Sequence, residues 1–210
     1  MPQGKRGKYL GFVAHEIKNP LATALWSCDL LKRMEGADRT GERGEKMIDV
    51  SLRALRRMRR LIDDFFTIER LLESGYELKR ERLVLKELVD HALRTLAEED
   101  GIATAGWATE LDGVEVQGDP EMLRRAVRAA LEYMARASPK PRLSLAAREQ
   151  TLLVRAEAAP VPVLPPAPEE RASGDATGSV LGFALAARIL EAHGGRIEER
   201  DGALALVFAP

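Results

Sequence analysis

Phe12-Val13-Ala14-His15-Glu16-Ile17-Lys18-Asn19-Pro20-Leu21 decides how this chain of 210 residues is read. On a helix of 3.6 residues per turn, His15 and Asn19 are surface neighbours one turn apart. The apolar residues Leu10, Val13, Ile17, Leu21, Ala24 and Cys28 recur at close to a 3.5-residue spacing. Counted from Leu10, His15 falls roughly 140° and Asn19 roughly 180° around the helix. One face is therefore buried, and the imidazole and the amide point into solvent, where they serve chemistry rather than packing. The competing reading is an exposed histidine on an ordinary amphipathic helix. Pro20 lies within the same pattern. It removes a backbone donor and crowds the carbonyl of Glu16, so a bend is expected just past the histidine.

Outward from that stretch, the first helix is expected from about Gly7 to Met34. Three glycines break it between Gly36 and Gly44. A second helix follows from about Glu45 to Glu73. Its seam is Met47, Ser51, Leu55, Met58, Ile62, Phe65, Glu69 and Leu72, widened by Leu52, Leu61, Ile68 and Leu71. Two long helices on a short loop make an antiparallel hairpin. A hairpin offers too little partner surface for so wide a stripe, and two hairpins pairing into a four-helix bundle bury it. A homodimer is the expectation.

Composition sets the outer limits. Hydrophobic residues make up 45% of the chain, enough for a packed core, and aromatics only 5%, so that core is aliphatic. A net charge of −1 with 31% charged residues gives no overall pull toward nucleic acid or anionic lipid. Cys28 is the single cysteine and falls on the apolar stripe, which reads as a small core residue; neither a disulfide framework nor a cysteine-rich metal site is expected. No segment reaches the ~20 apolar residues of a membrane span, and no signal peptide is evident. A cytoplasmic protein is the expectation, with no membrane and no nucleic-acid partner. The run Arg53, Arg56, Arg57, Arg59 and Arg60 reads as a solvated helix face or as a docking surface for an acidic partner.

Ser74-Gly75 closes the hairpin region, residues 1–75, and opens a second region, residues 76–210. Its expected elements alternate: a strand at Tyr76 to Lys79, a helix at Leu83 to Glu99, and strands at Trp107 to Leu111 and Val114 to Gln117. A helix at Glu121 to Ala137 follows, with Asp119 as its N-cap and Pro120 in its first turn. Strands at Arg142 to Ala147 and Thr151 to Ala156 come next, then a helix at Val180 to Ala192 stopped by Gly194-Gly195. A final hairpin turns at Asp201-Gly202. This order describes a two-layer α/β sandwich with a mixed sheet. His91 and His193 read as structural, the latter as a cation favoured at a helix C-terminus.

His15-Glu16-Ile17-Lys18-Asn19-Pro20-Leu21 resembles the phospho-acceptor box of the histidine-kinase superfamily, and the second region follows the order of that family's ATP-binding domain, a GHKL (Bergerat-type) α/β sandwich. The resemblance implies that His15 carries a phosphoryl group, that Glu16 is a base or hydrogen-bond partner for its imidazole, and that Asn19 positions the attacking or leaving group. The family holds ATP and magnesium through three motifs, and each departs here. On the helix after Asp119, Ala129 and Tyr133 stand where the family has asparagines, and a phenol is a poor magnesium ligand. After the strand ending at Val154-Arg155, Ala156 replaces an adenine-binding aspartate, while Ala158 and Pro160 replace glycines. In Gly178-Ser179-Val180-Leu181-Gly182, Val180 replaces the middle glycine of a phosphate cradle. The proline-rich segment 160–177 takes the place of the nucleotide lid and reads as a mobile loop. The scaffold is kept and the ATP site is expected to be lost.

A dimeric bundle with an exposed phospho-acceptor and no ATP site can still exchange phosphoryl groups. Imidazole is a competent nucleophile near neutral pH. This combination is similar to the dimeric histidine phosphotransferases. It implies that His15 takes a phosphoryl group from a receiver-domain aspartate and passes it to another. The partners would be response-regulator receivers and an upstream hybrid histidine kinase. No cofactor or metal site is then expected, because magnesium comes with the receiver. Two alternatives keep the same partner: a phosphatase in which Glu16 and Asn19 orient water, and a non-catalytic protein that sequesters a response regulator. A divergent ATP-dependent kinase is the remaining one.

Overall fold

The computed structural model describes residues 3–72, 77–137, 142–157, 164 and 179–209. Two long helices, α1 (Gln3–Arg33) and α3 (Glu42–Leu72), pack side by side. Between them the expected loop holds a short helix, α2 (Gly36–Thr40). Gly44 makes the return possible: a Cβ there would stand 2.0 Å from the carbonyl oxygen of Arg39. α1 runs unbroken through Pro20. In the turns that follow, side chains bond back to the helix. Thr23 Oγ1 donates to the carbonyl of Asn19 at 3.1 Å, and Ser27 Oγ to that of Thr23 at 2.9 Å.

The apolar stripe of α1 is divided. Val13, Glu16, Pro20, Ala24 and Ser27 are buried, whereas Leu21, Leu25 and Cys28 are exposed. The buried face is thus turned by roughly 60° from the centre of the sequence pattern, with 100° per residue. Cys28 is not the core residue that its place on the stripe implied. The same division holds on α3. Ser51, Ala54, Leu61 and Ile68 are buried, while Ile48, Leu52, Leu55, Ile62 and Phe66 are exposed. One apolar face of each helix closes the hairpin within the chain, and a second faces outward.

The rest forms an α/β unit. Strand β1 (Glu81–Val84) lies later than the strand expected at Tyr76 to Lys79 and pairs antiparallel with β3 (Glu115–Gly118) in a two-stranded ribbon. The helix α4 (Leu85–Glu98) follows β1 directly. A five-stranded mixed sheet has the order β2-β4-β5-β7-β6, from β2 (Ala108–Glu110), β4 (Leu143–Arg148), β5 (Thr151–Ala156), β6 (Arg196–Arg200) and β7 (Ala203–Val207). Among the described residues, only the β2–β4 pair is parallel. α4, α5 (Pro120–Ala137) and α6 (Ser179–Ala192) supply the helical layer. Leu88, Leu96, Leu123, Leu131, Leu145, Leu152, Leu185 and Leu206 are among the fully or almost fully buried side chains between the layers, an aliphatic core as composition requires. The β6–β7 hairpin turns at Asp201 and Gly202, both at positive φ.

Asp119 caps α5 as expected. Its Oδ1 accepts from the backbone N–H groups of Glu121 (3.0 Å) and Met122 (3.1 Å). His193 supports that cap from α6. Its Nε2 accepts from the Asp119 N–H at 2.9 Å, and its Nδ1 donates to the carbonyl of Ile189 at 2.7 Å. One nitrogen accepts and the other donates, so the ring is a neutral, buried bridge rather than the C-terminal cation expected from its position. The hairpin-to-sandwich boundary near residue 75 and the segment 160–177, apart from Leu164, lie outside the described residues.

Candidate functional site

His15, Glu16 and Asn19 all sit on α1. The His15 side chain is 47% exposed and the Glu16 side chain 1%, and His15 Nδ1 lies 3.9 Å from Glu16 Oε1. That distance is an electrostatic contact rather than a hydrogen bond. Consecutive helical residues diverge by about 100°, so the imidazole reaches solvent while the carboxylate is buried. Asn19 is exposed, one turn along.

Beside Glu16 and Asn19 a cleft of about 400 Å³ opens between the hairpin and the α/β unit. Glu16, Asn19 and Thr23 line it from α1, Arg53 and Arg57 from α3, and Arg136 from α5. Its far wall is Glu99-Asp100, at the end of α4. Behind that wall runs a network of charges. Asp100, with a side chain 2% exposed, pairs with both Arg60 and Arg128, the latter at 2.9 Å. Arg60 also reaches Glu99 at 2.9 Å. Glu132 takes Arg128 at 2.9 Å and Arg136 at 2.8 Å. Arg125 pairs with Asp64 at 2.9 Å.

These pairs revise the reading of the arginines on α3. Arg56 and Arg59 are exposed, as a solvated face requires, but Arg60 is tied to carboxylates of the α/β unit. The network also shifts ionisation. Burial alone pushes the Glu132 carboxyl up, but Arg128, Arg136 and Arg57 together outweigh it and hold the group below its ordinary 4.5. Burial raises Asp64, and Arg125 does not fully offset it. Burial, then the like charge of Arg136, lowers Arg57. The sequence reading missed Asp100, Glu132 and Arg136. A signal was present in the spacing Arg128, Glu132, Arg136, which is i, i+4 twice on one helix.

Of the residues expected to take the place of nucleotide contacts, Ala129, Tyr133 and Val180 lie on α5 and α6, and Ala158 and Pro160 lie outside the described residues. Ala129 and Tyr133 are buried, and the Tyr133 ring packs against Phe183 with centroids 4.8 Å apart. α6 comes so close to α5 that a Cβ on Gly182 would stand 3.3 Å from that of Ala129. Val180 is buried at the start of α6. Ala156 ends β5 and pairs with Leu143. Among the described residues, no three His, Cys, Asp or Glu side chains cluster as a metal site requires, and no helix is long and apolar enough to cross a membrane.

A helical hairpin with an exposed histidine, followed by an α/β sheet unit, is the arrangement expected from the resemblance to histidine kinases. Residues 5–74 match the His Kinase A (phospho-acceptor) domain. The chain is 27% identical over 198 residues to the sensor protein DivL of Caulobacter vibrioides (strain ATCC 19089 / CIP 103742 / CB 15), covering 89% of this chain and 25% of DivL. It thus spans about a quarter of the length of that curated relative. Among solved structures, the Acinetobacter baumannii histidine kinase AdeS matches with a TM-score of 0.61 at 19% identity, over 93% of this chain and 97% of that one. The cytoplasmic segment of histidine kinase QseC matches with a TM-score of 0.48 at 19% identity, over 71% and 91%. The hairpin is thus similar to the phospho-acceptor domains of histidine kinases, and the chain as a whole shares the fold of AdeS.

Proposed function

We propose that this chain is a histidine phosphotransferase of a two-component phosphorelay. His15 accepts a phosphoryl group from a receiver-domain aspartate, including that of an upstream hybrid histidine kinase, and passes it to the aspartate of another receiver. The observation that carries the reading is the exposed imidazole of His15 beside the buried Glu16 carboxylate, 3.9 Å from Nδ1. With Nδ1 turned to Glu16, Nε2 is the nitrogen that attacks phosphorus. The carboxylate favours the positive charge the ring gains as the N–P bond forms and the O–P bond of the donor breaks. Asn19, one turn away, positions the transferred group. Magnesium comes with the acidic pocket of the receiver, and the remaining work is in-line positioning and charge stabilisation.

Transfer without ATP is supported by the packing of α5 on α6. Tyr133 packs on Phe183 and Ala129 closes on Gly182, filling space where a triphosphate would need room and polar partners. Pairing of two hairpins is supported by the outward apolar face of Leu21, Leu25, Leu52, Leu55 and Phe66.

The test follows acid-labile label on wild type and His15→Ala, with magnesium and γ-labelled ATP alone or with phosphorylated receivers. Label reaching His15 only from a phosphorylated receiver is the expected result. Label from ATP alone would make the chain a divergent kinase. Receiver dephosphorylation that survives His15→Ala would make it a phosphatase, and receiver binding with neither reaction a sequestering partner.

A further inference from the structure

The cleft beside Glu16 and Asn19 holds two guanidiniums that make no hydrogen bond or ion pair among the described residues. Its acidic lining is largely committed: Asp100 to Arg60 and Arg128, Glu99 to Arg60, and Glu16 turned toward His15. Arg136 gives its Nε to Glu132, which leaves its two terminal nitrogens. Arg53 and Arg57 also line the cleft, one turn apart on α3. Neither has a hydrogen bond or an ion pair within 4.0 Å among the described residues. Arg57 is half-buried, and its charge is disfavoured first by burial and then by Arg136, with only partial relief from Glu132, Glu16 and Asp100. A desolvated guanidinium without a carboxylate is unfavourable unless an anion comes to it. Guanidiniums present planar forks of N–H donors that match the oxygens of a phosphoryl group.

We propose that this cleft is a binding site for a phosphate-class dianion, held by the guanidiniums of Arg57 and Arg53 with Arg136 behind them and Asn19 and Thr23 at its mouth. Two sources share that chemistry: the phosphoryl group carried by His15, and a free phosphate-bearing small molecule. Assigning the site to the transferred group rests on the relay reading; the binding itself does not. In that role Arg57 neutralises charge on a phosphoryl group beside the acceptor and acts as a positioning residue for it.

The experiment titrates inorganic phosphate into the full chain at constant ionic strength, with chloride as control, by calorimetry and by the NMR signals of the arginine Nε–H groups. Wild type and His15→Ala are expected to bind one phosphate per chain. Arg57→Gln and Arg53→Gln are each expected to weaken binding at least tenfold, with Arg57→Lys recovering part of the loss. Because burial and Arg136 disfavour the charge of Arg57 more than Glu132, Glu16 and Asp100 favour it, Arg57→Gln is expected to unfold at no lower temperature than wild type. No saturable binding above the chloride control, or wild-type affinity in both glutamine variants, overturns the proposal. Phosphoramidate, which can phosphorylate an imidazole and release ammonia, separates the sources. If phosphorylating His15 expels inorganic phosphate, the site serves the transferred group. If binding persists, it serves a free molecule. Equilibrium binding in His15→Ala is independent of any transfer, so failure of the relay reading and failure of this site are read separately.

Discussion

At the scale of the residue, neighbouring positions on one helix are given opposite environments. His15 and Glu16 are adjacent in sequence, yet the imidazole meets solvent and the carboxylate is buried. The sequence placed His15 and Asn19 on the open face correctly. It said nothing of the burial of Glu16, because that depends on α3 and the α/β unit coming to that side of α1. His193 shows the same limit. Its place at a helix end argued for a cation, but its partners are a donor on one side and an acceptor on the other. His193→Ala should remove both bonds and leave the Asp119 N–H buried without an acceptor. The expected loss is about 3 kcal/mol, read as a lower urea midpoint with an unchanged slope.

At the scale of the element, α5 is joined to its neighbours by charge as much as by packing. Glu132 takes two arginines of its own helix, and Arg128 extends the chain of contacts to Asp100 and so to Arg60 of α3. Glu132→Gln should destabilise by about 3 kcal/mol at pH 7, the low end for a broken buried pair, because Arg128 keeps Asp100. The folded carboxyl lies below its ordinary 4.5, so its stabilisation is present above that value and is lost as pH falls through the folded pKa. The gap between wild type and Glu132→Gln should therefore close in denaturation curves taken at progressively lower pH below 4.5. Asp64 runs the other way. Its folded pKa is raised from 3.8, so its contribution is greatest below 3.8 and falls as pH rises through the raised value.

At the scale of the whole molecule, each long helix has two apolar faces and the chain covers only one. Leu25 and Leu55 are 59% and 43% exposed. If two hairpins pair, Leu25→Glu and Leu55→Glu put charge into a buried seam, and light scattering should show the mass falling from dimer toward monomer. A single chain would leave both positions in solvent and the mass and thermal midpoint unchanged. The same pairing would explain why the sequence stripe is wider than the buried face of one hairpin.

The sequence by itself determined what depends on local periodicity and local chemistry. That covers the two long helices, the Asp119 cap with Pro120, the Asp201-Gly202 turn, most strands, and an exposed His15 with Asn19 beside it. Those features follow from helical spacing, from φ preference and from side chains bonding backbone within a few residues. Only the tertiary structure decided which part of each stripe is covered. It alone brought Arg60, Arg128 and Asp100 together from three separate helices or their ends, and turned Arg57 toward Arg136 across the cleft. Such pairings join residues 28 to 40 positions apart or more. Charge complementarity at that separation leaves no periodic trace in a sequence, because it arises only when helices dock.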